Sequence, residues 1–269
     1  MRLSLPKISE KMILEHKGIP IFYDDTGKGP AVVLLHGFLE NSTMWSTIIP
    51  TLSKTNRVVT IDLLGHGKTA CLGYVHSMEL MAEAVNAVLK SLRLRRVNLI
   101  GHSMGGYVAL AFAEKNPQKI KQLCLLNSTA QEDSKERKEL RSRANKMVQN
   151  NFTGMVKVSV TNLFRPENLD RYKREVEEVK TEALKTPIQG YLACQEGMRI
   201  RPNREAVVKT DAFKTFYIIG KDDPILEVDT LVKEAKKNRA DFLILDGGHM
   251  SHIENKEDVI VALRKFVKG

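Results

Sequence analysis

Hydrophobic and polar positions follow one another in short blocks along most of the chain, and glycine-rich turns separate the blocks. Residues 12–16 and 19–23 alternate between apolar and polar side chains, which predicts an antiparallel hairpin. Further apolar runs, typical of strands buried on both faces, occupy residues 31–35, 57–61, 96–100 and 118–127. Residues 77–92 have helical spacing after the candidate N-cap Ser77, and residues 45–52 suggest a short helix. Strands that alternate with helices predict a mainly parallel sheet with helices on both faces.

This alternation stops in the middle of the chain and returns near its end. Residues 130–204 are charged and helix-prone, with candidate helices at 132–150, 154–164, 168–184 and 187–198. The earlier pattern then resumes with strands at 215–219 and 241–245 and helices at 228–237 and 256–267. We therefore predict a helical segment inserted into an α/β domain.

The most informative stretch is Gly101-His102-Ser103-Met104-Gly105-Gly106, a Gly-x-Ser-x-Gly sequence between an apolar strand and a helix of small residues. A serine on a sharp turn between strand and helix exposes its hydroxyl. Glycines on either side allow the two backbones to approach, and the free N–H groups of the helix face any negative charge that forms nearby. Ser103 is therefore a candidate nucleophile.

A serine hydroxyl needs a base, and the base needs an acceptor that holds its tautomer. In a parallel sheet such groups are expected just beyond the carboxyl ends of strands, where the sequence places His36, Asp62, Ser103 and Asn127. Asp222 and Asp223 follow the strand at 215–219, and His249 follows the strand at 241–245. Position alone leaves both aspartates open as the acid, and it leaves His252 as an alternative base.

Several short motifs, taken in this order, resemble the α/β-hydrolase superfamily over nearly the whole chain. They are His36-Gly37-Phe38, Asp62-Leu63-Leu64-Gly65-His66-Gly67, the segment around Ser103, Gly220-Lys221-Asp222-Asp223-Pro224 and Gly248-His249-Met250. The resemblance implies an α/β-hydrolase fold, with a mostly parallel eight-stranded sheet flanked by helices and an inserted helical cap. The core would comprise residues 1–127 and 212–269, and the cap or lid residues 128–211.

The resemblance also implies roles for particular residues. The catalytic triad would be Ser103, Asp223 and His249, with Asp223 rather than Asp222 as the acid. The backbone N–H groups of Phe38 and Met104 would form the oxyanion hole. Three other histidines, His36, His66 and His102, are expected to have structural roles. His102 is expected to point away from Ser103.

The substrate pocket is expected between the sheet and the cap. Its candidate substrate-binding residues are Leu39, Trp45, Tyr191, Met198, Ile225 and Met250. Residues 196–203 resemble a Met-x-x-Arg-Pro-Asp segment of small esterases and enol-lactonases, although Asn203 replaces the aspartate and its charge.

These features predict a carboxylesterase-like serine hydrolase that cleaves a small-molecule ester, lactone or thioester through an acyl-enzyme. A C–C bond hydrolase, an acyltransferase, a perhydrolase, a lyase and a non-catalytic ligand-binding receptor are the alternatives. No metal and no organic cofactor is expected.

Composition narrows the range of partners. The net charge of +10 is compatible with nucleic-acid binding, but basic and acidic residues intermingle, as at 135–139, which favours a solvated surface. Cys71, Cys124 and Cys194 are isolated and lack metal-site spacing, as in proteins of reducing compartments. Met1-Arg2-Leu3-Ser4-Leu5-Pro6-Lys7 lacks the apolar region of a signal peptide. We expect a cytoplasmic protein without nucleic-acid or membrane partners; a homodimer is an option that no sequence feature supports.

Overall fold

The computed structural model describes residues 10–269, in which eight strands form one mostly parallel sheet. In chain order the strands are β1 (Glu10–His16), β2 (Ile19–Thr26), β3 (Ala31–Leu35), β4 (Arg57–Ile61), β5 (Val97–His102), β6 (Ile120–Leu126), β7 (Lys214–Gly220) and β8 (Asp241–Leu245). Their order across the sheet is β1-β2-β4-β3-β5-β6-β7-β8, and only the β1–β2 and β2–β4 pairs are antiparallel. The predicted hairpin and parallel sheet are confirmed. The segment Met1–Lys7, on which the prediction of no signal peptide rests, lies outside the described residues.

Eleven α-helices are present among residues 10–269. They are α1 (Ile49–Leu52), α2 (Met78–Ser91), α3 (Met104–Lys115), α4 (Lys135–Val148), α5 (Phe152–Thr161), α6 (Lys173–Ala183), α7 (Ile188–Arg199), α8 (Glu205–Val208), α9 (Val228–Lys237), α10 (Ser251–Glu254) and α11 (Lys256–Lys268). Ser77 caps α2, since its side chain accepts the N–H of Leu80 at 3.2 Å, as predicted. Within this described part of the chain, no helix is both long and apolar enough to cross a membrane.

The prediction of one short helix over residues 45–52 is wrong, because the structure has two separate elements there. The chain makes a 3-10 turn at Ser42–Trp45 and then the short helix α1. Pro50 lies in the first turn of α1, the part of a helix that accepts a proline because no partner is needed there for the missing N–H. The turn and the helix are therefore two elements.

Each face of the sheet carries its own apolar core. On β3, Val33 and Leu35 point into a cluster that includes residues of α2, α3 and α9. Val32 and Leu34, which alternate with them, point into a second cluster with residues of α1 and α11. Burial of β3 on both faces fixes the position at which its carboxyl end enters the following loop.

Between β6 and β7 the chain leaves the sheet and forms α4 to α8. A third apolar cluster contains residues from α4, α5, α6 and α7 together with Leu39 and Met250, which lie in the loops after β3 and β8. These helices therefore cover the carboxyl edge of the sheet. The division into a core and a cap at residues 128–211 stays a prediction.

Asn203, which replaces the aspartate of the esterase segment, accepts the N–H of Glu205 at 3.0 Å at the start of α8.

Candidate active site

Ser103 occupies a strained turn between β5 and α3. Its backbone angles, φ 49° and ψ −116°, fall in a region that residues with a side chain rarely adopt. Two contacts hold this conformation: the Ser103 N–H donates to the Leu126 carbonyl at 3.0 Å, and the Ser128 hydroxyl donates to the Ser103 carbonyl at 2.8 Å. The neighbouring strand β6 therefore supports the turn.

Close backbone packing around this turn explains two of its glycines. A Cβ at Gly101 would lie 2.3 Å from the carbonyl oxygen of Gly105. A Cβ at Gly105 would lie 2.3 Å from the carbonyl oxygen of Leu35. Both contacts are with backbone atoms, so a larger residue would displace β5, α3 or β3.

His249 connects Ser103 with Asp223. The Nε2 atom of His249 lies 2.9 Å from Oγ of Ser103, and its Nδ1 lies 2.7 Å from Oδ2 of Asp223. His249 and Asp223 are both buried. The sequence places these residues after β8 and β7, and the structure brings them together at the end of β5.

The Asp223 carboxylate is surrounded by donors. Its Oδ1 accepts the N–H groups of Ile225 at 2.8 Å and Leu226 at 3.0 Å. Burial opposes ionisation, but His249 and these hydrogen bonds outweigh it and hold the pKa of Asp223 below its ordinary value. Asp223 is therefore a carboxylate at neutral pH and accepts a hydrogen bond from the Nδ1–H of His249.

The alternatives that position left open have other partners. The side chain of Asp222 is 44% exposed and pairs with Arg165 at 3.0 Å. His252 is buried in α10, and its Nε2 lies 3.8 Å from Glu40. The structure therefore brings Asp223, rather than Asp222, and His249, rather than His252, to Ser103.

Asn127 is a site residue to which the sequence assigned no role. It follows β6 with a φ of 45°, and its Nδ2 donates to Asp223 at 3.0 Å and to the Gly248 carbonyl at 3.1 Å. One amide thus links the acid to the loop that carries His249. The available sequence signal was its place directly after a strand, but nothing in the sequence indicates which residues it meets.

The loop after β3 passes beside Ser103. A Cβ added at Gly37 would lie 3.2 Å from Cβ of Ser103. His36 holds this loop, since its Nδ1 donates to the Gly37 carbonyl at 2.7 Å and its Nε2 accepts the N–H of Leu63 at 2.9 Å. Across residues 10–269, the N–H groups of Phe38 and Met104 donate no hydrogen bond to another protein group. Their expected role as oxyanion donors stays a prediction.

Comparison with known proteins places this site in a family. The sequence model of the alpha/beta hydrolase fold matches residues 30–256, a span from β3 into α11 that includes Ser103, Asp223 and His249. The chain belongs to the alpha/beta hydrolase family. The α/β-hydrolase fold implied by the sequence is thereby confirmed.

The alignments with similar proteins span different shares of this chain. An uncharacterized protein of Mycobacterium tuberculosis is 37% identical over 102 residues, which span 38% of this chain and 30% of that protein. A 2-hydroxy-6-oxo-6-(2'-aminophenyl)hexa-2,4-dienoic acid hydrolase of Metapseudomonas resinovorans is 25% identical, covering 93% of this chain and 88% of its own length. The solved structure of a thermophilic esterase from Thermogutta terrifontis is similar with a TM-score of 0.89 and 29% identity, covering 97% of this chain and 98% of that one.

The six candidate substrate-binding residues fall into separate groups in the structure. Leu39, Tyr191 and Met250 meet in the apolar cluster under the inserted helices, where the Tyr191 ring lies 5.0 Å from that of Phe38. Met198 packs in the cluster with α2 and α3. Trp45 is fully buried in the core on the face of the sheet opposite the cluster of Met198, and it belongs to a different apolar cluster from Leu39, Tyr191 and Met250. Ile225 is half-buried and contacts Asp223 through its N–H.

Proposed function

We propose that this alpha/beta hydrolase is a carboxylesterase-like serine enzyme that cleaves small-molecule esters, lactones or thioesters. The observation that carries the proposal is the continuous chain of contacts from Oγ of Ser103 through His249 to Asp223, at 2.9 and 2.7 Å. Ser103 attacks the carbonyl carbon while Nε2 of His249 takes its proton. Asp223 holds the opposite N–H and stabilises the imidazolium.

The negative oxygen of the tetrahedral intermediate lies between the N–H groups of Phe38 and Met104. Each such preorganised donor lowers the barrier by about 3 kcal/mol. His249 returns its proton to the leaving group, and an acyl-enzyme forms on Ser103. A water molecule deprotonated by His249 then releases the acid and restores the hydroxyl.

C–C bond hydrolysis is a second candidate. It is favoured by the dienoic acid hydrolase that matches 93% of this chain, because the compound in that name contains an oxo group and no ester. The esterase matches 97% of the chain at higher identity, which supports ester cleavage as the first choice. Incubation with a panel of short esters, lactones, thioesters and a vinylogous 1,5-diketone, followed by mass spectrometry of the products, separates the two reactions.

Labelling with a fluorophosphonate probe tests the nucleophile. The wild-type protein should carry one adduct, on Ser103. Ser103→Ala should lose the label and reduce kcat for an activated ester by about 10⁴-fold or more, with an unchanged circular dichroism spectrum. Ser46→Ala, at an exposed serine, is the control and should label normally. Turnover that persists in pure Ser103→Ala protein would contradict the mechanism.

A further inference from the structure

The buried histidines near the site differ in the partners of their rings. The Nε2 atoms of His36, His66 and His76 each accept a backbone N–H, from Leu63, Leu39 and Leu72 respectively. A nitrogen that accepts cannot carry a proton, so these three rings are neutral.

His102 faces two acceptors instead. Its Nδ1 lies 2.7 Å from Oε2 of Glu40, and its Nε2 lies 3.0 Å from the carbonyl oxygen of His249. A neutral imidazole has one N–H and satisfies only one of these oxygens, whereas an imidazolium satisfies both. When Glu40 is ionised, the arrangement therefore requires a doubly protonated His102.

Glu40 supplies the opposite charge. Its side chain is 5% exposed, and Oε2 also accepts the N–H of Gly37 at 2.6 Å. Burial opposes ionisation of both groups, but their mutual attraction outweighs it: the pKa of His102 is raised, and that of Glu40 is lowered to about 2. The two side chains thus form a buried ion pair.

This pair joins three parts of the candidate active site. Glu40 holds Gly37, the residue before the proposed oxyanion donor Phe38. His102 precedes Ser103 in the strained turn. Its second N–H holds the backbone of His249, whose ring lies 5.2 Å away. Loss of one proton from His102 would release one of these contacts.

We propose that the Glu40–His102 ion pair positions His249 and the oxyanion loop, and that deprotonation of His102 sets the alkaline limit of activity. The inference rests on the proposed serine-hydrolase function. Glu40 and His102 are positioning residues, since neither touches the reacting atoms. When His102 loses a proton, Glu40 retains the remaining one on Nδ1, and the bare Nε2 faces the carbonyl of His249 and repels it.

The surroundings allow this titration. A cleft of about 960 Å³ between the loop after β3 and α6 is lined by Glu40 and His252, which gives solvent a path to the cluster. The titratable groups whose charges act on the Glu40–His102 pair or lie against it are His36, Asp223, His249 and His252. Burial lowers the pKa of His252 to about 3, so that ring stays neutral over the alkaline range.

Three variants separate the two contacts of His102. Glu40→Gln removes the counter-charge but keeps an oxygen for Gly37, so His102 is neutral at every working pH. His102→Asn retains an N–H at the position of Nδ1, which faces Glu40. His102→Gln retains an N–H near the position of Nε2, which faces His249.

For wild type we expect kcat to fall as the pH rises above neutral, without a matching change in KM. This fall is the alkaline limb of the pH profile. Glu40→Gln and His102→Asn should each lower kcat about tenfold at pH 7.5, because a small displacement of a catalytic group costs this much or more. Both should lose the alkaline limb. His102→Gln should also lose the limb but keep kcat within about threefold of wild type, since it retains the contact with His249. His76→Gln is the control for removal of a buried histidine and should retain the limb.

Nuclear magnetic resonance of the ring nitrogens gives a readout that does not depend on activity. Wild type at pH 7 should show two ring N–H protons on His102, and a single one would overturn the ion pair. A stoichiometric metal in the purified protein would also overturn it, because Glu40, His102 and His252 have ligand atoms within 4.8 Å of one another. Folded Glu40→Gln with wild-type kcat and pH profile would contradict the positioning role. Failure of wild type to react with the fluorophosphonate would instead reject the proposed function.

Discussion

Asp222 and Asp223 are neighbours in the chain, yet their side chains meet opposite surroundings. Asp223 is buried against His249, whereas Asp222 is 44% exposed and pairs with Arg165 on the surface. An exposed ion pair is screened by water and contributes little. The proposed role of the triad acid therefore belongs to Asp223 and not to Asp222.

Replacement of each aspartate by asparagine tests this division. We expect Asp223→Asn to lower kcat for an activated ester by about 10³- to 10⁴-fold, because the amide no longer selects the Nδ1–H tautomer of His249. Asp222→Asn is the matched control, and kcat should stay within about twofold of wild type because its contact with Arg165 is at the surface. Steady-state kinetics on both folded variants measures the two kcat values. An equal loss of kcat in both variants would contradict the choice of Asp223 as the triad acid.

How far the sequence could predict the site depended on how far apart the interacting residues lie. Ser103 could be predicted because its local turn demands glycines at Gly101 and Gly105. Asn127 could not be assigned a partner, since Asp223 and Gly248 follow it by 96 and 121 residues. Such contacts arise from strand order, and periodicity carries no information about it.

At the level of elements, the predicted bounds match the structure for three strands and for α9, and they differ from it elsewhere. The bounds of β3, β4 and β8 match the predicted runs. Burial on both faces accounts for the apolar runs of β3 and β4, whereas in the edge strand β8 only Leu245 is buried. The helix predicted at 132–150 is shorter, since Ser134 accepts the N–H of Arg137 at 3.2 Å and starts α4 at Lys135. In a polar surface helix, the composition indicates that a helix is present but does not indicate which residue caps it.

The inserted helices are tied together by one buried carboxylate. Asp133 pairs with Arg141 at 2.5 Å and with Arg201 at 2.7 Å, and its side chain is 3% exposed. Arg201 also lies 4.0 Å over the ring of Tyr107 in α3. Asp133 therefore neutralises Arg141 of α4 and Arg201 after α7, and Arg201 packs on α3.

Loss of that carboxylate should destabilise the protein. Asp133→Asn leaves two buried guanidinium groups without their counter-charge, which should lower the free energy of unfolding by about 3 to 5 kcal/mol. Glu132→Gln is the neighbouring control: it removes an exposed pair with Lys138 and should cost less than about 1 kcal/mol. Urea denaturation followed by fluorescence measures both. A similar midpoint for the two variants would show that the buried charges are compensated elsewhere.

Across the whole molecule, several histidines are buried without charge. Burial lowers the pKa of His66 and of His252 to about 3, and that of His76 to about 4. In the unfolded chain all three would titrate near 6.5. Below that pH the unfolded state binds more protons than the native state, so stability falls as the pH falls. His102 acts in the opposite direction, since its pKa is raised and its native charge is retained.

These shifts predict a loss of stability in mild acid, before most carboxylates protonate. Between pH 7 and pH 5.5 each neutral histidine costs about 1.3 kcal/mol, so His66, His76 and His252 together cost about 4 kcal/mol, while His102 returns about 1 kcal/mol. Burial also lowers the pKa of His36, which therefore adds to the loss. The free energy of unfolding should therefore drop by at least about 3 kcal/mol, measured by urea denaturation with the fluorescence of Trp45, the only tryptophan. In His76→Gln the drop should be about 1 kcal/mol smaller, because one titrating group is gone. Stability that is constant or rising from pH 7 to pH 5.5 would mean that these rings are charged in the native protein.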